Sequence, residues 1–88
     1  MAKIEKKTKP DMFQKVLDGD KTFELRLADF EIQPGDILIL KEWDPEKKEY
    51  TGRILEKKVT FILNTKDMEQ FHTKEEIEKH GLIVISIR

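Results

Sequence analysis

No apolar run in this chain exceeds four residues, and the two that reach four are Ile37–Leu40 and Leu82–Ile85. A bilayer crossing takes about 20 apolar residues and a signal-peptide core about 7 or more. The expectation is therefore a soluble, unexported protein with no membrane partner. Runs of four do suit strands buried on both faces, so the core has to be assembled from several short pieces. There is material for one, because Leu, Ile, Val and Phe supply 26 of the 88 residues, above the level at which chains fail to collapse. A chain of this length is expected to form a single domain, 1–88. The absence of cysteine removes disulfides, thiolate metal sites and cysteine nucleophiles, and suits a cytoplasmic location. Basic and acidic residues number 17 and 18, a balance unlike that of proteins that wrap nucleic acid through counterion release. Any nucleic-acid site must be local.

Along the chain, residues 3–9 carry four lysines against one glutamate and read as an edge strand or a flexible tail. Met12, Phe13, Val16 and Leu17 then draw one apolar stripe on a short helix, with Asp11 as cap, Gln14 as its capping-box partner and Gly19 as the stop. From Thr22 the period changes to two: Phe23, Leu25 and Leu27 alternate with Thr22, Glu24 and Arg26, as in a half-buried strand. Gln33-Pro34-Gly35-Asp36 is a turn signal leading into a strand over 37–43. Residues 44–52 read as a charged hairpin connection, 53–63 as a long strand, and Leu82–Ile87 as a central strand. Thr73 to Glu76 spells a second capping box, before Ile77 and a stop at Gly81. The sum is an α+β fold: a small curved mixed sheet or β-barrel of about five strands with two short helices.

Chemistry concentrates between Gly19 and Arg26. Glu24 and Arg26 point to one face of their strand, and Lys21 sits at the helix-to-strand junction. If that face meets solvent, the pair is an ordinary surface salt bridge of small worth. If it lines a cleft, Arg26 offers a planar donor fork to a phosphate or base edge, Lys21 offers a phosphate contact or an amine base, and Glu24 orients Arg26 or accepts a proton. Trp43, the only tryptophan, either stacks on a base or packs at the end of the sheet. Arg53 with Lys47, Lys48, Lys57 and Lys58 either surrounds the cleft or, being interleaved with glutamates, forms a solvated hairpin. His72, Glu76 and His80 recur every four residues, but Thr73 as the cap leaves His72 outside the helix, so no metal and no cofactor are expected.

Gly19, Lys21, Glu24 and Arg26 match the G-x-K-x-x-E-x-R pattern of the ASCH domains, which are similar in fold to the PUA group of RNA-binding domains. The Pro34-Gly35-Asp36 turn follows in the right order, and Lys41-Glu42-Trp43-Asp44-Pro45 with Tyr50-Thr51-Gly52-Arg53 resembles a compact bacterial and phage subfamily of undetermined function. The resemblance runs from about Pro10 to Arg88. It implies a barrel-like fold with a cleft beside the first helix that takes RNA or a nucleotide and is lined by the motif residues Lys21, Glu24 and Arg26, to which Trp43 and Arg53 are added as candidate contacts on their own chemistry. It also implies an alternative, since some ASCH proteins are amidohydrolases that deacetylate N4-acetylcytidine with a lysine, a threonine and a glutamate. Lys21 matches that lysine, while the threonine position, three residues on, holds Glu24. In that alternative Lys21 and Glu24 are the catalytic pair. A third class is a protein-interaction module that uses an exposed strand edge.

Overall fold

The computed structural model describes residues 1–65, 75, 78 and 81–88. Its elements are β1 (Lys3–Thr8), α1 (Pro10–Leu17), β2 (Phe23–Leu27), β3 (Ile37–Asp44), β4 (Glu49–Asn64) and β5 (Leu82–Ile87). The strands form one mixed sheet in the order β1-β3-β4-β5-β2, so the fold is α+β. β1 runs parallel to β3, and the other neighbours are antiparallel. The sheet is not closed into a barrel. β1 and β2 remain its two edges.

Curvature comes from β4, which pairs with β3 through its first part and with β5 through its last. A register irregularity between Val59 and Phe61 marks the change of partner, and such an extra residue bends a strand and raises its twist. The Pro-Gly turn seats on that bend: Gly35 N–H donates to the Val59 carbonyl, and Val59 N–H to that of Asp36, both at 2.9 Å. Gly35 has φ +98°, which a turn with proline second and glycine third requires. Asp36 fastens this corner to the chain start, accepting from Ala2 N–H at 2.9 Å and Gln33 N–H at 3.0 Å.

The core lies inside the curve, beneath α1. Phe13 and Val16 of α1 meet Leu38 and Leu40 of β3, Val59 of β4, and Ile83, Ile85 and Ile87 of β5. Residues two apart share a face, so β5 buries its three isoleucines together. As its continuous apolar sequence suggests, β5 lies inside the sheet, between β4 and β2.

Three local expectations are corrected. The helix cap is Lys9, in extended conformation and without a side-chain cap bond, rather than Asp11. Pro10 explains the shift: its fixed φ suits the first helical position, and its missing N–H is one that would go unpaired there. The hairpin connection ends at Asp44–Glu49, not at Gly52, which lies within β4 at φ +95° beside the register shift between Lys41 and Trp43. The third correction concerns β2. Phe23, Leu25 and Leu27 face outward and are exposed, whereas Glu24 is buried and Arg26 half-buried. Glu24 pairs with Ile85 and Arg26 with Ile83, so both charged residues share the inner face with core isoleucines. Of the expected second helix the described residues include only Glu75 and Glu78, both helical, and His72, Glu76 and His80 fall outside them. No helix among the described residues is long and apolar enough to cross a membrane.

Candidate nucleotide-binding cleft

The two free sheet edges come together at the end of α1, and a cleft of about 790 Å³ opens along that seam. The way α1 ends determines what enters it. Gly19, at φ +83°, turns the chain back so that its N–H reaches the Val16 carbonyl at 3.1 Å, while Asp20 and Lys21 N–H both reach the Lys15 carbonyl at 3.0 Å. The glycine closure expected from sequence is present, in Schellman form. Lys21 is thereby tied to the helix through its own backbone, and β2 starts two residues later.

Glu24 then stands between two cations. Its Oε1 accepts from Lys21 Nζ at 2.6 Å and its Oε2 from Arg26 Nε at 2.9 Å, with Arg26 Nη2 also at 2.9 Å. Only 3% of the Glu24 side chain is exposed, against 16% for Lys21 and 25% for Arg26. Burial of a lone carboxylate would cost several kcal/mol, and charged hydrogen bonds to both oxygens offset it. Arg26 continues across the seam, where Nη2 donates to the Lys7 carbonyl at 3.0 Å and approaches Thr8 Oγ1 at 3.4 Å. A side chain therefore crosses where a barrel would have a backbone ladder.

The opposite wall comes from β1, α1 and β3. Lys7, Lys9 and Lys15 add three cations to Lys21 and Arg26, and among the described residues only Asp20 and Glu24 oppose them. A chain of net charge −1 thus gathers a local positive excess at one site. Trp43 lines the same cleft. Its ring meets Tyr50 edge-on at 4.9 Å and carries Lys7 Nζ over its face at 3.9 Å, within cation–π range. Phe23 lies at the mouth, its ring 5.2 Å from Lys21 Nζ.

Of the residues singled out from sequence, Lys21, Glu24, Arg26 and Trp43 line one cleft, and Arg53 does not. Arg53 instead binds Glu42, with Nε 3.0 Å from Oε1 and Nη2 2.9 Å from Oε2, and reaches Gln14 Oε1 at 3.1 Å. Its guanidinium lies 4.8 Å from the Phe13 ring, so it clamps the β3–β4 hairpin onto α1. The Glu42 carboxyl is held below its ordinary value, first by Arg53 and next by Thr51 Oγ1 at 2.6 Å. Lys47, Lys48, Lys57 and Lys58 also stay out of the cleft lining. Lys7, Thr8, Lys9 and Lys15 are among the lining residues that sequence reasoning missed. The signal for the first three was the lysine run at 3–9, which reads alike as solvated tail and as cleft wall until β1 is placed beside β3.

This arrangement has the parts for an anion with an aromatic neighbour: cations held by a buried carboxylate, three further lysines, and an indole with one of those lysines over its face. Among the described residues, no group of His, Cys, Asp or Glu is arranged to hold a metal ion. A family model described as "Domain of unknown function (DUF3850)" matches residues 4–85. The crystal structure of hypothetical protein PH0355 is similar in fold, with a TM-score of 0.66 at 23% identity over 100% of this chain and 98% of that one. No curated protein matches the chain.

Proposed function

We propose that this chain, which belongs to the DUF3850 family, binds RNA or a nucleotide in the seam cleft, in the manner implied by its resemblance to ASCH domains. One observation carries the reading: Lys21 and Arg26, fixed by buried Glu24, share a cleft with Trp43 and three further lysines. Phosphate meets Lys21 and Arg26, whose remaining N–H donors are unspent on Glu24. The base approaches Trp43 and displaces Lys7 from the ring, which frees that ammonium for a second phosphate contact. A volume of about 790 Å³ suits one nucleotide better than a duplex.

The single tryptophan supplies the assay. Titration with nucleoside monophosphates and short single-stranded RNA should change Trp43 fluorescence saturably, and Arg26→Ala should weaken binding about tenfold or more while the far-ultraviolet circular dichroism is retained. No saturable response to any of these ligands would sink the proposal. The amidohydrolase alternative rests on the 2.6 Å Lys21–Glu24 contact, a lysine and carboxylate close enough to pass a proton. Release of cytidine from N4-acetylcytidine, lost in Lys21→Ala, would replace binding with hydrolysis as the function.

A further inference from the structure

The outward face of β2, β5 and β4 is apolar row by row. Antiparallel partners share a face, and the register sets Phe23 beside Ser86 and Ser86 beside Phe61. The next row is Leu25, Val84 and Leu63, and Leu27 lies beside Leu82 at the end. The six Phe and Leu residues of this face are between 38% and 58% exposed. No charged residue occupies these positions, in a chain in which 40% of residues are charged.

We propose that this face is a homodimer interface, with a second copy of the chain stacked on it across a two-fold axis. Size is one reason. The exposed fractions amount to about 500 Å² of apolar surface per chain, near the upper range for patches on monomers. Two copies would bury about 1,000 Å² before flanking residues are counted, which is where specific interfaces begin. Shape is the other. Each of the first two rows is high at its flanks and low at its centre, Phe-Ser-Phe and then Leu-Val-Leu, so two ridges on β2 and β4 flank a trough on β5. A ridge of one copy fits the trough of another, and a two-fold operation makes both fits at once. A surface complementary to itself favours a second copy over an unrelated partner. The inference does not rest on the nucleotide reading: Leu27, Phe61, Leu63 and Leu82 lie outside the cleft lining, while Phe23 and Leu25 border both.

Sedimentation equilibrium of the full chain across micromolar concentrations tests it. The wild type should populate a dimer, and Phe61→Glu should raise the dissociation constant by about a hundredfold or more, because the symmetric interface buries the new charge twice. Leu25→Lys, on the opposite ridge, should do the same and provides a second route if Phe61→Glu misfolds, with circular dichroism checking each variant. Ile54→Lys, at an exposed position in the part of β4 that pairs with β3 and outside these rows, should leave the dimer intact. A wild type that stays monomeric throughout would overturn the proposal, and so would a dimer that survives both folded interface variants.

Discussion

A carboxylate turned toward the inside of a sheet is stable only if its neighbours compensate for lost water, and Glu24 has two cations within 2.9 Å. Removing it strands both, so Glu24→Ala should lower stability by about 3 kcal/mol, whereas Glu24→Gln, which keeps acceptor and shape, should cost less. Urea denaturation of the two variants checks the order, and equal losses would mean that packing rather than charge sets the cost. Sequence spacing located this trio but not its orientation. Period two says that Glu24 and Arg26 share a face, and nothing in the period says which face is inside. Glu42 was less legible still, because its partner Arg53 arrives only through hairpin pairing. Its pH behaviour follows from the same bonds: the folded carboxyl titrates below the ordinary 4.5. The contribution of the pair is therefore complete above that pH and is lost as pH falls through the lower folded value. Asp36, lowered by hydrogen bonds from the Ala2 and Gln33 amides, adds a further loss as pH falls through its own depressed value. Thr51→Val should weaken the lowering at Glu42 and shift acid unfolding to higher pH, measured by circular dichroism along a pH titration.

At the level of elements, the end of α1 matters more than its start. Three hydrogen bonds to Lys15 and Val16 carbonyls place Asp20 and Lys21, and they require the positive φ of Gly19. An added Cβ at Gly19 meets no atom within 4 Å, so Gly19→Ala bears only the backbone cost of that conformation, about 1 kcal/mol. Thermal unfolding should show that modest loss, while ligand affinity in the Trp43 assay should stay close to that of the wild type, because the retained turn keeps Lys21 in place. The glycine stop and the Pro-Gly turn were readable because glycine and proline restrict the local conformation, and β5 because its near-continuous apolar run suits a strand inside the sheet. The cap was not, because Asp11 and Pro10 both signal a helix start and the ring constraint of Pro10 won. β2 misled for a different reason: its apolar residues promised an inward face, but the seam holds charge there.

Over the whole molecule, near-zero net charge and a cationic cleft act at different ranges. Beyond a Debye length, about 8 Å at physiological salt, an approaching anion sees the chain's sum, which is −1. Inside the cleft it sees Lys7, Lys21 and Arg26. Binding of a short single strand should therefore weaken with salt as expected for two or three phosphates, with a slope of log affinity against log salt of about −1.4 to −2. Long-range steering should be slight, so added salt should act mainly by speeding dissociation, leaving association nearly constant. Stopped-flow recording of Trp43 fluorescence separates the two rates. If association slows in step with affinity as salt rises, the attracting field extends well beyond the seam, and the balanced composition has misrepresented how charge is arranged on the surface.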